Sequence, residues 1–234
     1  MDFETPLLPG TLVKRYKRFL ADVDLGGGGL VTAHCANPGS MTGLTEPGSE
    51  VWLSPATNPK RKLKYTWELI RPPGGSALVG INTMRPNAIA EEAIGDGLVA
   101  ELAGFSEIRR EVRYGRNSRI DLLLESPDRP PCYVEIKNVH LSRQSGLAEF
   151  PDSVTVRGTK HLHELADMAA SGARAVMFYL VQRDDCDSFA PAADIDPTYA
   201  ETLAEVRPRG VEAICYACRL SPQSISVERR LPFA

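Results

Sequence analysis

The spacing of hydrophobic and polar positions changes character near Ile81. Before that point, short runs rich in β-branched and aromatic residues alternate with Gly/Pro breaks. "TLVKRYKRFLADVDL" is one long run, followed by "GGGG" and then "LVTAHC", which reads as a hairpin with a loose turn. "SEVWLS", "KYTWELIR" and "SALVGINT" follow, separated by "SPATNPKRK" and "PPGG". Five short strands with turn signals between them predict a small barrel or sandwich.

After Ile81 the pattern lengthens. "RPNAIAEEAIGDGLVAELAG" is helix-like, with Pro86 near its start. "EVRYG", "SRIDLLLE" and "CYVEIKNV" read as three consecutive strands, and "TVRGTKHLHELADMAASG" as a helix ending at Gly172. "RAVMFYLVQ" is continuously apolar, as a strand covered on both faces would be. "PTYAETLAEVRPRG" predicts a helix opening with Pro197, and "VEAICYACRL" a final strand. The expected fold is therefore α+β in two domains. Residues 1–80 form a five-stranded β-barrel of the oligonucleotide/oligosaccharide-binding (OB) type. Residues 81–234 form an α/β domain with a mixed sheet.

Composition narrows the class. The chain has 234 residues, 43% hydrophobic and 24% charged, as an ordinary globular protein has. "MDFETPLLPG" has no apolar core of a signal peptide, and no apolar run is long enough to span a bilayer. Five scattered cysteines and no export signal point to the reducing cytoplasm, with no membrane partner. A net charge of −3 argues against a uniformly basic coat for nucleic acid. The distribution is uneven, however. Residues 1–80 hold 9 Lys and Arg against 7 Asp and Glu, and the remainder holds 18 against 23.

Two carboxylates stand among core-like residues. Asp121 precedes three leucines, and Glu135 lies between Val134 and Ile136. If residues 118–125 and 132–139 form a hairpin turning near Asp128, Asp121 falls opposite Glu135. Directly opposed residues share a sheet face with Cβ atoms roughly 4.5–5.5 Å apart. Lys137, two residues on, shares that face. Two carboxylates so close repel unless a cation lies between them. A hard divalent ion, Mg2+ or Mn2+, is the expected occupant. Asp128 belongs to a rival Pro-Asp pair, but it sits at the turn tip, roughly 23 Å from Glu135 along an extended strand. Pro151-Asp152 lies outside the hairpin.

Other chemistry is weaker. His34 and Cys35 are adjacent in a strand and point to opposite faces, so they form no dyad. Cys215 and Cys218 likewise diverge. His161 and His163 lack the i, i+4 spacing of helical zinc ligands.

The hairpin resembles the PD-(D/E)xK nuclease superfamily, with Asp121 on the second strand of a three-stranded meander and Glu135-Ile136-Lys137 on the third. The resemblance implies that Asp121, Glu135 and the Ile136 carbonyl ligate the metal and that Lys137 positions water and phosphate. It also makes Glu92, on the preceding helix, a further acidic candidate, with Glu91 its neighbour and alternative. Lys160, on the helix after the hairpin, falls near the implied phosphate path.

A second resemblance spans nearly the whole chain. "RYKRFLADV" (15–23), "HCANPGSMTGL" (34–44), "KYTWELI" (64–70), "YGRNSRIDLLLE" (114–125), "YVEIKNVHL" (133–141) and "FPDSVTVRGTKHLHEL" (150–165) resemble the sugar fermentation stimulation protein family. That implies an OB-like domain joined to a nuclease-like one. It further implies sequence-independent DNA binding and a regulatory role in sugar, notably maltose, metabolism. Two basic clusters fit this expectation. Lys14, Arg15, Lys17 and Arg18 interleave with Tyr16 and Phe19; Lys60, Arg61, Lys62 and Lys64 precede Tyr65 and Trp67. Single-strand binders combine such charge with aromatic platforms. The expected function is a DNA-binding protein with a Mg2+-dependent phosphodiesterase site. The alternative is a DNA-binding regulator whose nuclease fold is catalytically silent.

Overall fold

A computed structural model of the chain describes residues 1–115 and 117–234. The N-terminal half is a closed barrel. Its strands are β1 (Leu8–Tyr16), β2 (Leu20–Asp24), β3 (Leu30–Cys35), β4 (Glu50–Pro55) and β5 (Tyr65–Arg71), with the two-residue β6 (Val79–Gly80) at the edge. The order is β3-β2-β1-β4-β5-β6, and β3 closes onto β5 through the His34–Thr66 and Cys35–Trp67 pairs.

The long first run is two strands, not one. The chain reverses at Lys17 and Arg18, which carry left-handed φ values of 49° and 64°, so that Tyr16 pairs with Leu20. Neither residue is glycine, so the turn has no compositional mark. The barrel still has five principal strands, because "SALVGINT" contributes only β6. Leu12, Val23, Cys35, Leu53, Trp67 and Ile70 fill the interior.

The second half follows the expected order with additions. It contains α1 (Pro86–Gly95), β7 (Glu107–Tyr114), β8 (Ser118–Ser126), β9 (Arg129–Val139), β10 (Leu141–Gln144) and β11 (Gly146–Phe150). Then come α2 (Val156–Ala170), β12 (Arg174–Val181), β13 (Cys186–Pro191), α3 (Pro197–Val206), β14 (Val211–Leu220) and β15 (Ile225–Arg230). The main sheet runs β15-β14-β12-β9-β8-β7. β9, β12 and β14 are parallel, while β7, β8 and β15 join antiparallel. β10, β11 and β13 make a small second sheet. Pro at the first turn and Asp196 at the N-cap, accepting the Tyr199 N–H at 3.0 Å, start α3. Thr155 caps α2 in the same way through Gly158.

One sheet face packs on α1, the other on α2 and α3. Cys218 lies in the first of these cores and Cys215 in the second, on opposite faces of β14. Trp52, Leu69 and Leu78 of the barrel join Ile89, Val134 and Ile136 in a single apolar cluster, so the two halves share a core. The first residues also cross over. Asp2 bridges to Ser224, and the Phe3 N–H donates to Gln223 O at 3.0 Å. A third tie lies at the loop after β3. Asp152 accepts the Met41 N–H at 3.0 Å and contacts His140 Nε2 at 3.2 Å. Gly39 lies so close to this carboxylate that any Cβ there would strike it.

Among the described residues no helix is long and apolar enough to cross a membrane.

Candidate functional site

Register builds the site. Leu122 pairs with Val134, Leu123 with Tyr133 and Leu124 with Cys132, and the turn falls at Pro127 and Asp128. One step toward the open end, Asp121 therefore comes opposite Glu135. Beyond it, the Ile136 N–H donates to Asp121 Oδ2 at 2.7 Å. A residue's N–H and C=O leave a strand on the same side, so the Ile136 carbonyl also faces the β8 edge. α1 supplies the other contact: Asn87 Nδ2 donates to Asp121 Oδ1 at 2.9 Å.

Glu135 is buried, 3% exposed. Its Oε1 accepts from Lys137 Nζ at 2.7 Å and from His161 Nδ1. Arg157 Nε, which can only donate, reaches His161 Nε2 at 3.3 Å. That contact assigns the ring proton to Nδ1, from which it is given to Glu135. Among the described residues, Glu135 Oε2 is buried and has no hydrogen-bond partner. A buried carboxylate oxygen without a donor is costly, and a cation is the usual compensation.

These groups line a cavity of about 430 Å³ formed by Asp121, Glu135, Ile136 and Lys137 with Asn87 and Arg157 at its wall. Burial, together with the Glu135 charge, pushes the Asp121 carboxyl up to about 6. Burial alone would raise Glu135 too, but Lys137 and His161 outweigh it and hold its carboxyl below the ordinary value. The pair is thus one settled carboxylate beside one reluctant to ionise. A divalent cation would relieve that reluctance. Among the described residues no three His, Cys, Asp or Glu side chains converge as a ready cage. The adjacent donors are the Asp121 and Glu135 carboxylates and the Ile136 carbonyl, with Glu111 a further carboxylate on the lining and room for water and phosphate oxygens. That set suits a hard ion that keeps several waters.

Two expected contributors lie elsewhere. Glu92 turns away from the cavity and binds the Met1 ammonium. Asn87 faces Asp121, and Glu92 is five residues on, about 140° around the helix. Glu91, nearly in phase with Asn87, is taken by Arg110 of β7. Lys160 donates to Ser118 Oγ at 3.0 Å and lies 3.6 Å from Glu164, outside the residues lining the Asp121–Glu135 cavity.

The basic clusters divide in role. Lys17 and Arg18 are exposed at the β1–β2 turn, and Lys14 is exposed beside Asp22 with its ammonium 5.2 Å from the Tyr16 ring. Arg15 instead struts the loop after β3, donating to Asn37 O at 2.9 Å and Gly39 O at 3.0 Å. Lys60 and Lys62 are exposed, Lys64 donates to Pro59 O at 2.7 Å, and Arg61 reaches Thr66 Oγ1 at 3.1 Å. Trp67 is no stacking platform. It is fully buried, and its indole N–H donates to Leu69 O.

Asn87, Arg157 and His161 are site residues that sequence spacing did not single out. His161 carried a signal nonetheless. It shares the buried face of α2 with Gly158, Leu162 and Leu165, and a histidine on an apolar face must find a polar partner.

Residues 84–224 match the family domain described as "Sugar fermentation stimulation protein RE domain", and residues 13–81 match "SfsA N-terminal OB domain". A sugar fermentation stimulation protein homolog of Paramagnetospirillum magneticum is 63% identical over 227 residues, 97% of this chain and 95% of that one. One from Rhodospirillum centenum is 60% identical over 231 residues, 99% of this chain and 98% of that one. Among solved structures, Pyrococcus furiosus SfsA in complex with Ca2+ superposes with a TM-score of 0.88 at 29% identity, covering 100% of this chain and 98% of the other.

Proposed function

The chain belongs to the sugar fermentation stimulation protein family, and from that membership and the site geometry we propose that it binds DNA without sequence preference and cleaves its phosphodiester bonds at the Asp121–Glu135 cavity with Mg2+ or Mn2+. One observation carries this reading. Glu135, whose Oε2 is buried and without a partner among the described residues, lines the same cavity as a second carboxylate, the Ile136 main chain and the Lys137 ammonium. The Ca2+ complex of the Pyrococcus relative supports a divalent cation in the fold.

Asp121, Glu135 and the Ile136 carbonyl would hold the ion. When bound, it stabilises negative charge on the phosphate and eases proton loss from the attacking water. Lys137, anchored on Glu135 Oε1, holds a phosphate oxygen or the water in line. Arg157, at the cavity wall, adds a second positive group on the same side. Asn87 fixes the Asp121 carboxylate so that its remaining lone pairs face the cavity. The exposed Lys14, Lys17, Arg18, Lys60 and Lys62 supply sequence-independent phosphate contacts on the barrel. With that substrate the protein would act in the cytoplasm, with a regulatory part in sugar, notably maltose, metabolism.

A catalytically silent DNA-binding regulator is the second reading. It is favoured by the double use of Glu135 Oε1, which Lys137 and His161 already occupy. Gel analysis of supercoiled and single-stranded DNA separates the two. Cleavage in Mg2+ or Mn2+, absent in EDTA and lost in Asp121→Asn, is the expected result. Binding with intact DNA on every form and in both metals would establish the silent regulator instead.

A further inference from the structure

A second cleft, of about 670 Å³, opens at the mouth of the barrel. His34 of β3, Arg61 of the β4–β5 loop and Met84 beyond β6 stand around it. Its floor is Glu68 of β5, 1% exposed. This carboxylate is saturated. Ser54 Oγ donates at 2.7 Å, Asn82 Nδ2 at 2.8 Å, and Arg85 makes a two-pronged contact at 2.7 and 3.1 Å. A buried ion pair with every lone pair satisfied is rigid, and it leaves the cleft floor without net charge.

The walls suit a flat, largely uncharged ligand. Arg85 is neutralised by Glu68 yet 30% exposed, and its guanidinium lies 5.7 Å from the Phe3 ring. Arg61 is in no ion pair among the described residues; it is tied only to Thr66 Oγ1. Burial and the Arg61 charge hold the His34 imidazole below its ordinary value, so near pH 7 it offers one donor and one acceptor. The volume falls in the range of small-molecule pockets, roughly 300–1,000 Å³. The Arg61 guanidinium and the exposed Glu4 carboxylate are the remaining charged groups of the lining; the rest of it matches an aromatic ring with a hydrogen-bonding edge.

The cleft is tied to the metal cavity. Met84, 77% exposed, lines both. The segment between them is fixed at three points. Asn82 and Arg85 hold Glu68, the Met84 N–H donates to Asn82 Oδ1 at 3.0 Å, and Asn87 holds Asp121. A ligand seated on the floor therefore has a defined position relative to Asp121.

We propose that this cleft takes one unstacked nucleobase of the DNA strand whose phosphate lies at the Asp121–Glu135 cavity. The inference rests on the reading of that cavity as a phosphodiester site. It makes the preferred substrate a strand with an unpaired or extruded base, held by stacking against His34, Met84 and Arg85 and by hydrogen bonds to its edge. The apolar Met84 stands at the ridge that the nucleotide backbone must cross.

The test uses the full chain in Ca2+ or EDTA and fluorescent single-stranded oligonucleotides in which an abasic residue replaces each nucleotide in turn. In the wild type, one or two positions should lose about 10-fold in affinity when abasic, as loss of a stacked base does. The same abasic positions should cost nothing further in His34→Ala, or in Thr57→Trp, whose ring would fill the cleft from an exposed lining position. Mn2+ titration of each variant reports that the metal cavity is intact. A flat abasic profile in a wild type that binds and cleaves DNA overturns the cleft inference and leaves the nuclease reading standing. Absence of DNA binding altogether, with metal bound, removes both. A parallel titration with deoxyadenosine monophosphate separates a strand from a free nucleotide. Mononucleotide binding lost in Thr57→Trp, alongside a flat abasic profile, would also overturn the proposal.

Discussion

Asp121 and Ile136 are joined across β8 and β9 by a hydrogen bond from the Ile136 main-chain N–H to Asp121 Oδ2, 2.7 Å long. That bond ends the ladder and turns a core position into an acidic edge. It favours the ionised carboxylate, yet burial and Glu135 win, and the Asp121 carboxyl is pushed up to about 6. The folded protein thus holds the Asp121 proton more tightly than the unfolded chain, whose carboxyl titrates near 4. Stability from this group is complete below about pH 4 and is lost as pH rises through about 6, a loss of at most about 3 kcal/mol. Asp121→Asn, which retains an acceptor for Ile136, should abolish that loss and raise the metal-free midpoint at pH 8. Urea unfolding in EDTA at pH 5 and pH 8 checks it; equal pH dependence in both proteins would contradict the shift.

Glu135 depends on two donors. Removing either from a buried carboxylate should cost about 3 kcal/mol, so His161→Ala and Lys137→Ala are both expected to be destabilised. Lys137→Ala should in addition lower cleavage roughly 10²–10³-fold while the metal still binds. Single-turnover cleavage and urea unfolding of both variants separate the roles. Undiminished cleavage in Lys137→Ala would make that lysine structural.

The first basic cluster should split into a strut and a contact surface. Arg15→Ala forfeits hydrogen bonds to the carbonyls of Asn37 and Gly39 and should lose about 2 kcal/mol with no change in salt response. The double variant Lys17→Ala, Arg18→Ala should keep its stability to within about 0.5 kcal/mol. If both touch phosphates, the slope of log affinity against log salt on single strands should flatten by about 1.4. A fluorescence salt titration gives both slopes. An unchanged slope in the double variant would remove the turn from the DNA surface.

Gly39 is where the barrel loop meets the second domain. A Cβ there would drive into the Asp152 carboxylate, which His140, the Met41 N–H and other donors hold near 2. Gly39→Ala should therefore loosen the contact between the halves. The expected readout is new proteolytic sensitivity in the 36–44 loop, with the metal cavity retained. A protection pattern like the wild type would show that the loop absorbs the methyl group.

The β8–β9 hairpin was legible because two signals agreed. Two apolar runs of strand length, "IDLLLE" and "YVEIKNV", flank a turn at Pro127–Asp128, and the centre of that turn sets the register that brings Asp121 opposite Glu135. Helix phase was less legible. Glu92 and Asn87 are both polar positions on α1, and only the face that docks on β8 decides which one reaches Asp121. His161 was hidden by its neighbourhood: its partner Glu135 is 26 residues away and comes near only when α2 lies on the sheet. The split of β1 from β2 left no trace, since Lys17 and Arg18 adopt the left-handed region without glycine. Trp67 looked like a platform beside its lysines, but strand alternation places it inside the barrel.

Calorimetric titration with Mn2+ at pH 8 is the most direct test of the central claim, that Asp121 and Glu135 form a divalent-metal centre. Wild type should bind one or two ions, weakly, since water and substrate complete the coordination. Asp121→Asn should bind none at that centre while unfolding as cooperatively as the wild type, and Asp128→Ala, altered at the exposed turn tip, should match the wild type. Unchanged Mn2+ binding in a folded Asp121→Asn protein would contradict the account.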